Sequence, residues 1–272
     1  MADPLTLMAV HAHPDDEASS TGGVLARYSD EGIRTVLVTC TNGELGDGPG
    51  GVKPGDPGHD EDLLVAMRRD ELAASCRILG VSHLELLGYH DSGMEGWPQN
   101  DAPDAFWNTP VEVAAARLGA LMEQYRPQVV VTYDERGFYG HPDHIQANRV
   151  TLAATAATGI PDKLYYTGVP RSMLAGFAEL LREHGVEPPG PFEEDAEFGT
   201  PDELISTYVD CTAYTDRKYD SLATHASQAE NIFFLDMGRP LFASVFGREA
   251  FVRVQDRTGA AVPEDDLFAG LR

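Results

Sequence analysis

Two short runs of histidine and carboxylate residues carry the chemical potential of this chain. His13-Pro14-Asp15-Asp16-Glu17 follows the apolar run Leu5-Thr6-Leu7-Met8-Ala9-Val10, and His141-Pro142-Asp143-His144 follows Val129-Val130-Val131-Thr132-Tyr133. Imidazole and carboxylate suit a borderline divalent cation such as Zn²⁺, and a site with three protein ligands keeps a fourth position for water or substrate. The pattern points to a catalytic metal rather than a structural one. His141 lies three residues before His144, so it could serve as a ligand or as an acid of the pocket.

The elements around these clusters must bring them together. Apolar residues are nearly continuous over 5–12, as in a parallel strand buried on both faces. A helix is predicted over 17–31 with a stop at Gly32, then a strand over 34–41. Leu64, Met67, Leu72, Cys76 and Leu79 recur at helical spacing within a helix over 61–79 that ends before Gly80. A short strand at 83–87, a helix over 110–125, a strand at 128–133 and a helix over 143–158 complete the first half. This alternation predicts an α/β fold with a doubly wound, mostly parallel, Rossmann-like sheet. Ligands of such sheets bind at the carboxyl ends of the strands, and both clusters leave strand C-termini, so they share one edge.

The remainder reads less sharply. A strand near 164–167, a helix near 172–184, an acidic Pro-rich stretch at 188–202, a strand near 205–211 and a helix near 214–229 are expected. The division predicted is a Rossmann-like catalytic core over 1–160 carrying the metal site. Residues 161–272 form a C-terminal extension that completes the sheet, covers the cleft and has the length for a smaller lobe. The irregular segments 43–58 and 88–108, the latter holding Trp97 and Trp107, are long enough to be functional loops.

Composition excludes several partners. A net charge of −24 over 272 residues argues against nucleic acid, whose phosphates need clustered Lys and Arg, and against anionic lipid. Cys40, Cys76 and Cys211 are odd in number and far apart, without C-x-x-C spacing, so neither a disulfide framework nor a thiolate metal site is expected. Met1-Ala2-Asp3-Pro4 has no basic leader and no apolar run approaches membrane length, so the reading is a soluble, cytoplasmic protein. The expected partner is a small-molecule amide, with homo-oligomerisation left open.

In combination, H-P-D-D-E at 13–17, R-x-x-E-L at 68–72, D-S-G-M at 91–94 and G-F-Y-G-H-P-D-H at 137–144 resemble the PIG-L/LmbE-like family of zinc-dependent N-deacetylases. The resemblance runs from about residue 5 to 150. It is greatest to the branch that deacetylates N-acetylglucosaminyl-inositol in mycothiol synthesis, with the mycothiol conjugate amidases nearly as similar. It implies zinc, or Fe²⁺, on His13, Asp16 and His144. Asp15 would be the general base toward the zinc-bound water, and His141 and Tyr139 would stabilise the oxyanion or protonate the leaving amine. It also implies that Arg68 and Asp91 hold the polar substrate and that Asp143 orients a histidine from behind the ligands.

Other readings exist for each residue taken alone. Asp16 is a good helix cap, Asp15 a carboxylate favoured at a helix start, and Arg68 and Tyr139 ordinary surface types. Glu17 reads as a helix-start residue, His11 as a core or supporting histidine, and His225 in T-H-A-S-Q as a pocket candidate. Phe138 stands where relatives often have a small residue, which would narrow the mouth. Ser20 replaces a lysine of the conjugate-cleaving amidases, which counts against that activity.

The leading expectation is therefore removal of an acetyl group from an N-acetylglucosamine-containing small molecule. The same machinery could serve a mycothiol conjugate or an acylated aminosugar antibiotic. A silent carbohydrate- or nucleotide-binding module is the reading from another class. Intact Asp15 and His141 argue against it, as does the absence of G-x-G-x-x-G after the first strand.

Overall fold

The structure, a computed structural model, describes residues 4–183, 199–228 and 234–272. Its first strand, β1 (Thr6–His11), is buried along its whole length. Met8 pairs with Val36 of β2 (Arg34–Thr41) on one side and with Val130 of β4 (Val129–Thr132) on the other. With β3 (His83–Tyr89) and β5 (Lys163–Gly168) these strands run parallel. β7 (Arg248–Asp256) runs antiparallel between β5 and β6 (Thr207–Asp210), giving the order β3-β2-β1-β4-β5-β7-β6 in one seven-stranded sheet.

Alternate side chains of β1 feed two cores, because successive residues of a strand point to opposite faces. Leu7 and Ala9 pack with Leu25, Leu72, Val131 and Phe251 on one face; Met8 and Val10 pack with Val38, Leu118, Val130 and Val150 on the other. The first face is covered by α2 (Gly22–Asp30), α3 (Glu61–Leu79) and α8 (Thr215–Thr224), the second by α4 (Val111–Tyr125) and α6 (Pro142–Thr158). Asp60 caps α3 by accepting from Leu63 N at 3.0 Å, and Gly80 ends it at φ 75°, a left-handed stop that glycine adopts freely. Cys40, Cys76 and Cys211 are buried free thiols.

Three expectations change. The helix read over 17–31 is two helices, α1 (Asp16–Ser20) and α2, broken at Thr21. Thr21 Oγ1 meets His11 Nε2 at 2.8 Å, and the N–H groups of Gly23 and Val24 donate to the Glu249 carboxylate at 2.7 and 2.9 Å. A distant strand thus satisfies the start of α2, a long-range contact that no local pattern announces. The second change is β7, which enters between β5 and β6; its R-E-A-F-V-R-V-Q-D sequence mixes charged and apolar residues and lacks the apolar run that marked β1 and β4. The third is the helix near 214–229, which ends at Thr224 because His225 leaves helical geometry at φ −84°, ψ 49°. A four-residue turn, α5 (Gly137–Gly140), and the helix α9 (Gly238–Phe246) were not anticipated. The helix expected over 172–184 is α7 (Arg171–Glu183), and most of the stretch at 188–202 lies outside the described residues.

Candidate active site

The order of the sheet reverses between β1 and β4, and such a switch opens a crevice at the strand C-termini. His13 to Asp16 leave β1 there, and α6 begins there just after β4. His141 caps α6: its Nδ1 accepts from Asp143 N at 3.1 Å, with Pro142 at the first helical position, where its fixed φ suits the turn. H-P-D-H is therefore a helix start that puts His144 on the crevice wall and Asp143, fully buried, behind His13. Gly137, at φ 61°, lets the preceding turn pass tightly; a Cβ there would lie 2.7 Å from His144 Cβ.

Asp16 sits between two histidines, its Oδ2 3.4 Å from His13 Nδ1 and its Oδ1 3.4 Å from His144 Nε2. Ring nitrogens of His13, His141 and His144 lie within 4.8 Å of one another. Asp16 Oδ2 accepts from His13 N and from the Tyr133 hydroxyl, both at 2.7 Å, and the Tyr133 ring stacks on His144 at 4.1 Å. On the far side of His13, Nε2 faces Asp143 Oδ2 at 3.2 Å, and Asp143 is itself held by the backbone and hydroxyl of Ser92. Among the described residues neither ring nitrogen of His144 has a hydrogen-bond partner, although the side chain is buried. A buried imidazole left without a partner, facing a carboxylate and a second imidazole, has the donor chemistry of a divalent-metal site.

Asp15 is built differently. Its backbone is left-handed, φ 111°, ψ −26°, a region that costs a non-glycine residue on the order of 1–3 kcal/mol and persists only when surrounding contacts hold it. Arg68 supplies some of those contacts: Nη1 donates to Gly43 O at 2.7 Å, Nη2 donates to Pro14 O, and Nη2 lies 3.2 Å from Asp15 Oδ2. Expected to hold substrate, Arg68 is 4% exposed and directs its guanidinium at the chain around Asp15. Asp91 lies in the crevice with Oδ1 3.7 Å from His13 Nε2 and accepting from Gly93 N at 2.8 Å. Tyr139 is 46% exposed at the mouth, its ring centroid 5.1 Å from that of His144 and 6.0 Å from that of His141.

Charge and burial tune these groups. Burial pushes the Asp15 carboxyl up to about 6, against the opposing Arg68 guanidinium. For Asp16, burial is outweighed by His144, His13 and His11, which hold it well below the usual carboxylate range. His13 is raised, since Asp91, Asp143 and Asp16 overcome its burial. His141 is lowered by burial and by its neighbours His13 and His144. With Nδ1 accepting a backbone N–H, neutral His141 carries its proton on Nε2. A proton on Nε2 gives His141 an N–H that can donate into the crevice.

Sequence reasoning missed Tyr133, Ser92, Glu17 and Ser75. By sequence Tyr133 ends a strand and Glu17 is a helix-start carboxylate, yet Glu17 is fully buried. His11 is a supporting histidine as read, its ring nitrogens facing Tyr133 and Thr21. All of the proposed ligands, with Asp15, Arg68, Asp91, Tyr139 and His141, line one crevice of about 690 Å³.

Residues 8–155 match the PIG-L family, described as GlcNAc-PI de-N-acetylase. The chain belongs to this family. It is 43% identical to a protein of Acidothermus cellulolyticus, across 98% of this chain and 95% of the relative, and 41% identical to one of Geodermatophilus obscurus, across 97% of each. Both carry the name 1D-myo-inositol 2-acetamido-2-deoxy-alpha-D-glucopyranoside deacetylase. Among solved structures, N,N'-diacetylchitobiose deacetylase from Pyrococcus horikoshii superposes with a TM-score of 0.60 at 20% identity, covering 93% of this chain and 84% of that one. A 4-carboxy-2-hydroxymuconate hydratase from Pseudomonas putida gives 0.61 at 20% identity, covering 94% and 99%. These two likenesses establish the α/β fold, and family membership makes the chain a de-N-acetylase-type enzyme. Among the described residues no helix is long and apolar enough to cross a membrane.

Proposed function

We propose that this enzyme hydrolyses the acetamide of an N-acetylglucosaminyl-inositol-like substrate with a divalent metal, Zn²⁺ or Fe²⁺, held by His13, Asp16 and His144. The observation that carries this reading is Asp16 set between two imidazoles at 3.4 Å, with Asp15 clamped beside it in a left-handed turn. The curated relatives at 43% and 41% identity, named for that amide, supply the substrate class. When bound, the metal would supply Lewis-acid polarisation of the amide carbonyl and of the attacking water.

The protein groups have separable tasks. Asp15 takes a proton from water as its oxygen attacks the carbonyl carbon. The Asp15 carboxyl holds that proton and returns it to the amine nitrogen as the C–N bond breaks, leaving acetate and the free amine. His141 Nε2–H and the Tyr139 hydroxyl, both lining the crevice, serve as donors to the tetrahedral oxygen. Asp91 accepts from sugar hydroxyls, while Asp143 fixes His13 through Nε2 and so leaves Nδ1 toward Asp16.

The deciding experiment is amine release from N-acetylglucosaminyl-inositol by metal-stripped protein, with and without added Zn²⁺. Zinc-dependent release that disappears in His13→Ala and Asp15→Asn is expected. Wild-type turnover in either variant would refute the assignment. One observation favours a second reading: Leu45, Met94, Trp97, Phe138, Phe177 and Phe246 give the crevice an apolar wall, suited to an acylamide with an apolar arm. Faster turnover of a mycothiol conjugate or an acylated aminosugar antibiotic than of N-acetylglucosaminyl-inositol would establish that reading instead.

A further inference from the structure

Behind Asp15 lies a pair of ionisable side chains for which the proposed chemistry has no use. Glu17 and His225 are both fully buried, neither lines the crevice, and they come from positions 208 residues apart. His225 Nε2 meets Glu17 Oε1 at 2.8 Å, and Ser75 Oγ donates to the same oxygen at 2.5 Å. Ser75 is backed in turn by Ser221 Oγ at 2.6 Å. The other oxygen, Oε2, accepts from the backbone N–H of Asp15 at 2.9 Å.

A carboxylate in the first turn of a helix is normally satisfied by solvent and by the helix N-terminus, and it needs no buried imidazole. Here α3 and the end of α8 converge on one oxygen of Glu17, which leaves the second oxygen aimed at Asp15 N. Asp15 is the residue whose backbone departs furthest into the left-handed region, at φ 111°. Arg68 holds the carboxylate side of that turn and Glu17 holds the amide side. Asp15 and Asp16 both line the crevice, and this turn sets the direction from which the Asp15 carboxylate reaches it.

We infer that Glu17, locked in place by His225 and Ser75, is the positioning residue that aims the Asp15 carboxylate into the active site. This rests on Asp15 being the base. A base displaced by about 1 Å can lose on the order of 10²-fold in turnover while substrate and metal still bind.

The test uses full-length, zinc-loaded His225→Leu, His225→Gln, Ser75→Ala and Asp15→Asn, assayed on N-acetylglucosaminyl-inositol, with zinc affinity measured by chelator competition. His225→Leu should lower kcat about 10²-fold with KM and zinc affinity within twofold of wild type. His225→Gln should recover most of the loss, because its side-chain N–H can still donate to Glu17 Oε1. Wild-type kcat in folded His225→Leu, or no recovery in His225→Gln, overturns the inference. Should His225→Leu fail to fold, Ser75→Ala decides: a lowered kcat at unchanged KM supports positioning, and wild-type kcat refutes it. Asp15→Asn separates the two levels. Its retention of activity would remove the base itself, whereas an inactive Asp15→Asn beside fully active His225→Leu and Ser75→Ala would remove only the positioning role.

Discussion

Replacing Tyr133 with phenylalanine deletes one hydroxyl and leaves the ring stacked on His144 at 4.1 Å. That hydroxyl donates to Asp16 Oδ2 at 2.7 Å and accepts from Ala12 N at 2.8 Å, all within a buried setting. Loss of a hydrogen bond to a charged group costs about 1.5–3 kcal/mol, and a buried N–H left unsatisfied costs about 1–3 kcal/mol. The two share one atom and do not add in full, so a stability loss of about 3 kcal/mol is expected. In a chain of this size that lowers Tm by roughly 6–12 °C. The sharper consequence concerns metal. Asp16 would keep one of its two orienting donors, His13 N, and changes in groups that orient ligands typically weaken metal binding about 10–100-fold. Zn²⁺ affinity by chelator competition, well below the variant's Tm, reads this directly. A Tm that falls as expected beside zinc affinity within twofold of wild type would refute the role of Tyr133 in orienting Asp16. It would leave the hydroxyl a purely structural group.

Further outcomes follow from individual contacts. Arg68→Lys should cost about 10²-fold in kcat with zinc affinity little changed, because one ammonium cannot reproduce the fork that holds Gly43 O, Pro14 O and Asp15; steady-state kinetics of the loaded enzyme check it. Tyr139→Phe should lower kcat about 10²–10³-fold, as for the loss of one oxyanion donor, and a larger effect on KM than on kcat would contradict that role. Glu264→Gln addresses pH-dependent stability. Burial alone would raise the Glu264 carboxyl, but hydrogen bonds from Lys163, Tyr165 and Thr207 take it below its ordinary 4.5. A lowered folded value means that ionised Glu264 contributes stability present in full above 4.5 and lost as pH falls through the folded value. The Tm gap between wild type and Glu264→Gln should therefore be widest near neutrality and narrow on acidification below 4.5; a gap independent of pH would contradict it.

What could be read from the chain alone divides along physical lines. The strands β1 and β4 and the helices α3, α4 and α6 were legible because their periodicity, caps and glycine stops are local. The meeting of His13, Asp16 and His144 was legible because two motifs each followed a buried strand of a parallel sheet. The break at Thr21 was not, since its cause is the carboxylate of Glu249, 225 and 226 residues beyond the amides it accepts from. Nor was the role of Glu17: by type and position it is an ordinary helix-start carboxylate, and only its convergence with Ser75 and His225 shows otherwise. The contacts of Arg68 with Gly43 O, Pro14 O and Asp15 were not legible either, because a sequence motif records that a guanidinium is needed and not which atoms it will hold.

The fold by itself does not select the reaction. A sheet of the same shape carries a deacetylase in Pyrococcus horikoshii and a hydratase in Pseudomonas putida, each at 20% identity to this chain. Selection must lie in how a few side chains are held, and here much of the holding comes from outside the first 160 residues. Glu249 of β7 caps the start of α2 and so bends the chain at Thr21, directly beneath the first motif. His225, at the end of α8, reaches the same motif through Glu17. The motif residues and the groups that aim them are thus contributed by opposite ends of the chain. A fragment confined to 1–160 would keep every proposed ligand, the base, Arg68 and Glu17, yet lose His225 behind Glu17 and Glu249 at the start of α2. The chain beyond residue 160 accordingly supports the active site as well as extending its sheet.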